Sequence, residues 1–164
     1  MTGETKEYNN IEISSFEDLQ LKDKLLRGIY ACGYEKPSSI QKKAILPIID
    51  KNDVIAQAQS GTGKTATFSI GMLQNIDESV NETQALVLSH TRELSLQILE
   101  VVKNLSSYMG ISYNLSVSGT TIRDNIDELL KNPQVVIGTP GRVLDMINKK
   151  ALNTRQLKIL VIDE

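Results

Sequence analysis

One cysteine, one histidine, two phenylalanines and no tryptophan occur among the 164 residues. The lone thiol, Cys32, closes no internal bridge, which excludes a disulfide-stapled scaffold and suits a reducing compartment. His90 has no Cys or His partner nearby, which argues against a zinc-type centre. Neither sign of charge dominates: 18 basic residues stand against 20 acidic ones, a formal −2. That balance excludes a generic polycation gripping nucleic acid by bulk charge and leaves only a localised basic face open. No apolar run approaches the ~18 residues of a membrane helix. The polar opening from Met1 to Glu7 lacks the apolar centre of a secretory signal, so no membrane partner is expected. What remains is an ordinary apolar share, 40%, in a length that fits one globular domain.

Residues 1–15 are polar and read as a mobile tail. From Leu21 the apolar spacing turns helical, with Leu21, Leu25, Leu26 and Ile29 on one face and Gly33 as a stop. Pro37, Ser38 and Ser39 open a second helix from Ile40 to about Ile49, which Pro47 should kink or end. These helices make up a region over 16–50. In 51–164 short apolar runs appear at Val54–Ala58, Ala85–Leu88, Leu115–Val117, Val135–Ile137 and Ile159–Ile162. They lack polar alternation, as strands buried on both faces do. Helical stripes at 92–109 and 122–130 lie between them. That alternation predicts an α/β fold with a mostly parallel sheet.

The run Ala58-Gln59-Ser60-Gly61-Thr62-Gly63-Lys64-Thr65 follows the first expected strand and opens a helix, the context of a phosphate-binding P-loop. Gly61 and Gly63 let successive backbone N–H groups point into one concavity, and the helix N-terminus adds partial positive charge. Lys64 would reach the outer phosphates and the Thr65 hydroxyl would ligate Mg2+. The other half of such a site is acidic and sits at the end of a later apolar strand. Leu157–Glu164 has that form. Asp163 would act on Mg2+ through its water shell, and Glu164 would polarise the attacking water.

These residues and the runs around them resemble the DEAD-box RNA helicases, and among those the translation initiation factor 4A group. Gly33–Gln41 is similar to that family's glutamine motif, and Phe16 stands at its isolated upstream aromatic. The resemblance implies that Gln41 reads the adenine edge and Phe16 packs against the base. An amide that donates and accepts at once suits adenine. Taken without the resemblance, Gln41 reads as an ordinary exposed helix residue. Thr91-Arg92-Glu93-Leu94 and Thr139-Pro140-Gly141-Arg142 are similar to two RNA-contacting motifs, and Gly119 belongs to a third. Both four-residue runs follow expected strands, where open α/β sheets bind ligands. Their hydroxyls, N–H groups and Arg142 suit phosphate and sugar, so RNA contact would ignore sequence. From Arg142 to Lys158 five basic residues face only Asp145, a locally favourable charge, although such runs are usually solvated faces. Three departures stand out: His90 replaces a proline before Thr91, Ser95 replaces an alanine, and Ser118 replaces the first glycine of a Gly-Gly pair that approaches RNA.

The resemblance implies a RecA-like P-loop NTPase domain, ATP and Mg2+ as cofactors, and RNA as partner alongside translation-initiation or RNA-processing proteins. It implies a cytoplasmic setting, with a nuclear one as the alternative. The expectation is an ATP-dependent RNA helicase carried only as far as an incomplete first domain, truncated at the Walker B strand and inactive in unwinding on its own. In such sheets the strand after the acidic motif inserts between the phosphate-loop strand and the acidic strand, so a gap with unpaired backbone is expected there. A competing reading is a non-enzymatic chain that binds nucleotide, RNA or a helicase partner and regulates by competition. A different P-loop NTPase, such as a DNA helicase, fits the glutamine motif less well.

Overall fold

The computed structural model describes Tyr8 and residues 12–164. The mobile-tail expectation for 1–15 lies mostly outside the described residues, but its last part is anchored. Ile13 is buried, and the N–H groups of Ser14 and Ser15 both donate to Asp18 Oδ2 at 2.8 Å. After a short 3-10 turn at Glu17–Leu19 come α1 (Asp23–Ala31), α2 (Ser39–Ile49), α3 (Lys64–Asn75), β1 (Ala85–Ser89) and α4 (Arg92–Leu105). There follow β2 (Tyr113–Ser116), α5 (Ile122–Leu129), β3 (Val135–Gly138), α6 (Pro140–Asn148) and β4 (Ile159–Asp163).

The four strands form one parallel sheet in the order β2-β3-β1-β4. Parallel strands need crossovers, and the helices between them supply these. Alternate residues of β1 therefore enter different cores. Ala85 and Val87 join Leu25, Ile29, Ile45, Ile70, Ile98 and Leu105 on the face covered by α1–α4. Leu86 joins Val136, Val143 and Met146 on the other. Pro47 does not break α2: it lies in the last turn, and the helix ends two residues later. There the missing N–H removes only one terminal bond.

Two expectations of periodicity are corrected. Ile122 and Leu130 are exposed, so the α5 stripe buries Leu129 and partly Ile126 only. More consequentially, Val54–Ala58 forms no strand. Ile55 is fully exposed, and the segment lies across a groove of about 460 Å³ from β4, with Val54, Ile55 and Ala56 on one wall and Ile159–Asp163 on the other. A parallel strand exists only by pairing with a neighbour, and the nearest candidate, β4, is one groove away. This is the expected gap.

Candidate functional site

The phosphate loop takes its shape from glycine at the helix start. Gly63 is the N-cap of α3 with φ +92, a left-handed conformation that costs an L side chain roughly 1–2 kcal/mol. It is also crowded: a Cβ there would stand 2.8 Å from Gln41 Nε2. Its carbonyl accepts from the N–H of Thr67 at 2.9 Å and from Thr67 Oγ1 at 2.8 Å, which starts the helix. Thr62 Oγ1 donates to the Gln59 carbonyl at 2.7 Å. Lys64 Nζ donates to the Ala58 carbonyl at 2.8 Å. The ammonium is thus folded back across its own loop, and a phosphate oxygen must displace that carbonyl.

The glutamine-motif residues support this loop from behind. Gln41 is 2% exposed, not the exposed helix residue that its position alone suggests. Its Oε1 accepts from the Ser38 N–H at 2.8 Å, and Ser38 Oγ donates to the Thr62 carbonyl at 3.0 Å. That bond uses one of the two lone pairs of Oε1, so Gln41 keeps an acceptor as well as its amide N–H donors. Phe16 is wholly buried and stands edge-to-face with Tyr30 at 6.3 Å between centroids. Its ring offers no free face for stacking on adenine in this arrangement, so Phe16 is a core residue here.

Asp163 ends β4 and shares the groove with Lys64. Burial, and next the Glu164 carboxylate, push its pKa above the usual aspartate value, against the pull of Lys64 and His90. Thr65 sits half-buried in the first turn of α3, and Glu164 is exposed. One hydroxyl and one carboxylate beside a loop of N–H groups fit a magnesium ion held through phosphates and water, which needs few protein ligands. Among the described residues no group of three His, Cys, Asp or Glu forms a metal cage.

The other group of predicted residues converges at the C-terminal ends of β1, β2 and β3. Arg92 Nη1 donates to the Ser118 carbonyl at 3.2 Å. Arg142 donates to the Thr120 carbonyl at 2.9 Å and to Thr120 Oγ1 at 3.0 Å, with a longer contact to Asn125 Oδ1 at 3.5 Å. The loop at 118–120 is therefore clamped between the starts of α4 and α6. Gly119 has φ +86, and a Cβ there would lie 2.3 Å from Arg92 Nη1. Ser118 is not among the positive-φ residues, so serine is tolerated at the departure site and the constraint falls on Gly119. Thr91 caps α4, its Oγ1 accepting from the Leu94 N–H at 3.1 Å. Glu93 and Pro140 are exposed, as is Gly141, which meets nothing at a Cβ position. Thr139 caps α6, with its N–H donating to the Ser116 carbonyl at 3.0 Å.

The basic run from Arg142 to Lys158 does not form one face. Lys149 pairs with Asp145 at 2.6 Å. Lys158 precedes β4, so it stands at the opposite end of the strands from Arg142, where it reaches the Asn75 carbonyl at 3.5 Å. Sequence reading missed Thr120 and Asn125. No local pattern marks them, since they matter only through the loop's contact with Arg142. Among the described residues no helix is long and apolar enough to cross a membrane.

The chain has relatives among known proteins. The chain is 55% identical over 152 residues to the ATP-dependent RNA helicase eIF4A of Chaetomium globosum, covering 93% of this chain and 38% of that relative. Among solved structures, a DEAD box protein from the hyperthermophile Methanococcus jannaschii superposes with a TM-score of 0.88 at 35% identity, covering 94% of this chain and 42% of that one. The S. cerevisiae Dbp5 bound to RNA and ADP BeF3 superposes with a TM-score of 0.82 at 41% identity, covering 92% and 38%. The chain thus spans about two fifths of the length of these proteins. The DEAD/DEAH box helicase family model matches residues 38–164, the stretch that holds the phosphate loop, the clamped 118–120 loop and the acidic strand end. The parallel sheet and its helices are the RecA-like fold of such helicases, and the chain belongs to the DEAD/DEAH box helicase family.

Proposed function

We propose that this chain supplies the ATP-binding and part of the RNA-binding surface of an eIF4A-like ATP-dependent RNA helicase. The observation that carries this reading is the placement of two clusters at the same end of one parallel sheet. The phosphate loop at 58–65 faces Asp163 over the groove, and the three clamped segments around Arg92, Gly119 and Arg142 lie beyond β1. Gly61, Thr62 and Gly63 would offer backbone N–H groups to the phosphates, Lys64 its ammonium, and Thr65 with Asp163 would hold Mg2+. Such an ion, when bound, neutralises charge on the phosphates. Glu164 is assigned to orient the attacking water. The RNA contacts are to sugar and phosphate and carry no base preference. RNA as a partner is supported by the Dbp5 structure bound to RNA.

A cytoplasmic role in translation initiation fits the eIF4A relatives by name, with nuclear RNA processing as the second setting. The 164 residues alone are expected to bind Mg-ATP without unwinding RNA. Calorimetric titration with Mg-ATP and Mg-GTP tests the nucleotide half: the expected result is ATP binding that Lys64→Ala abolishes and GTP binding at least tenfold weaker. Equal affinity for the two nucleotides, or none for either, sinks the reading. Unwinding of a short duplex by the isolated chain would sink its second part.

A further inference from the structure

Ser89 and Ser95 are buried hydroxyls outside the residue set so far given a role. Ser95 is 0% exposed and Ser89 2%. Their Oγ atoms are 2.6 Å apart. Ser95 Oγ donates onward to the Thr91 carbonyl at 3.0 Å, and Ser89 Oγ lies 3.4 Å from the same oxygen. One consistent set of protons follows. Ser89 donates to Ser95, and Ser95 donates to Thr91, whose carbonyl also accepts the helical bond from the Ser95 N–H at 3.1 Å. The hydroxyls thus form a closed loop joining the last residue of β1 to the first turn of α4. The bend at His90 and the N-cap Thr91 lie inside that loop.

A serine within a helix commonly bonds the carbonyl four residues back, and that alone would carry nothing. Here the second hydroxyl comes from the strand, so the bond fixes the angle between strand and helix. The bend it spans, at His90, has no proline ring to lock its φ before Thr91. The turn presents Thr91, Arg92 and Glu93, and Arg92 in turn holds the Ser118 carbonyl. Ser89 is also paired in register with Asp163 across β1 and β4, so the hydroxyl loop is anchored on the row that ends at the nucleotide side.

We infer that the Ser89–Ser95 hydroxyl pair positions the Thr91–Glu93 turn for RNA, a hydrogen-bonded lock across a bend that carries no proline. This rests on the RNA-contact reading above. The two are positioning residues and touch no RNA themselves.

The test uses the whole 164-residue chain. Hydrogen exchange is followed at the amides of residues 94 and 95, which Thr91 holds, and affinity for single-stranded oligouridylate is read by NMR titration. Ser95→Ala is expected to speed exchange at those two amides by about fivefold, the worth of one net hydrogen bond, while amides of β3 stay unchanged. RNA affinity should fall by a similar factor. Ser89→Ala should do the same, and the double variant should be no worse than either single one. Adding His90→Pro to Ser95→Ala should restore both readouts, a rescue that no loss of general packing predicts. Unchanged exchange in both single variants overturns the lock. Faster exchange with unchanged RNA affinity overturns its role in RNA contact. No oligouridylate binding by the parent chain overturns the RNA reading itself, whatever the exchange shows.

Discussion

β3 and β4 flank the same strand, both parallel to β1 and both in register with it from Ala85 to Leu88. β3 is buried at all four of its residues, whereas β4 alternates between half-buried and exposed. The difference is not one of sequence, since Val-Val-Ile-Gly and Ile-Leu-Val-Ile-Asp are equally apolar. It is one of neighbours. β3 has β1 on one side, β2 on the other and helices on both faces; β4 has β1 on one side and the groove on the other. Apolar composition marks a segment as fit for burial, and the surrounding pairing decides whether burial happens. The consequence for the site follows directly. The cluster of Arg92, Gly119 and Arg142 stands on a finished part of the sheet, while the phosphate loop is held by α3, Ser38 and Gln41 without a strand behind it.

The comparison is broken most severely by truncating one isoleucine on each side. Ile137 is wholly buried in β3 and Ile162 is 74% exposed in β4. Ile137→Ala is expected to cost about 2–5 kcal/mol, through lost burial and the cavity it leaves. Ile162→Ala should change stability by less than about 0.5 kcal/mol. Urea denaturation of the two variants checks this. Similar midpoints would mean that β4 is covered in solution and that the groove is closed.

A second contrast concerns how the loop keeps its shape without a strand. Gly63→Ala puts a Cβ on a left-handed residue and against Gln41 Nε2. A penalty of roughly 1–2 kcal/mol for that conformation falls on the free folded chain, so either the urea midpoint drops by that amount or the loop relaxes and Mg-ATP affinity falls about tenfold. A variant that keeps both its midpoint and its affinity would show that Gly63 does not set the shape of the loop.

Much of this was legible from sequence, and the failures share one cause. The helices at 92–105 and 122–129, strands β1, β3 and β4, and the phosphate loop all follow from local periodicity and turn chemistry. Val54–Ala58 has the composition of a strand and is none, because pairing is non-local and no spacing within the segment reports whether a partner is adjacent. Phe16 and Gln41 show the same limit: the resemblance gives both a base contact, whereas their burial, Phe16 as a core ring and Gln41 bonded to the Ser38 N–H, is read only from the fold. Burial of a side chain is set by what packs over it, which the motif does not contain. The convergence of Arg92 and Arg142 on one loop was likewise invisible, since it depends on β1 and β3 being neighbours in the sheet.

Two carboxylates sharpen the contrast through pH. Glu78 is held in its charged form, below the ordinary 4.5, first by the Gly110 N–H at 2.8 Å and then by Lys24. Its folded pKa is depressed, so its contribution is present above the unfolded value and lost as pH falls through the folded one. Asp163 has the opposite sign. Its pKa is raised by burial, so ionising it opposes folding, and stability on its account rises as pH falls through the folded value. Glu78→Gln should therefore lower stability at neutral pH and flatten the acid loss. Asp163→Asn should raise stability slightly at neutral pH and make no difference once both states are protonated. Urea midpoints from pH 3 to 7 check both, and matching signs for the two variants would refute the assignment.

The smallest expected effect on stability carries a large effect on behaviour. β4 presents a free edge of backbone N–H and C=O groups together with exposed Leu160 and Ile162, the combination that invites edge-to-edge pairing between chains. Nothing comparable exists at β3, whose edges are both taken. Ile162→Lys places a charge on that edge at a position already in solvent, so folding stability should move by no more than about 0.5 kcal/mol. Self-association should fall, because a second copy pairing there must bury the ammonium or push it aside. Sedimentation velocity across a concentration series reads the effect. If parent and variant sediment alike at every concentration, then the 51–56 wall shields the edge well enough on its own. The exposed face of β4 would then be open to small solutes and closed to another strand.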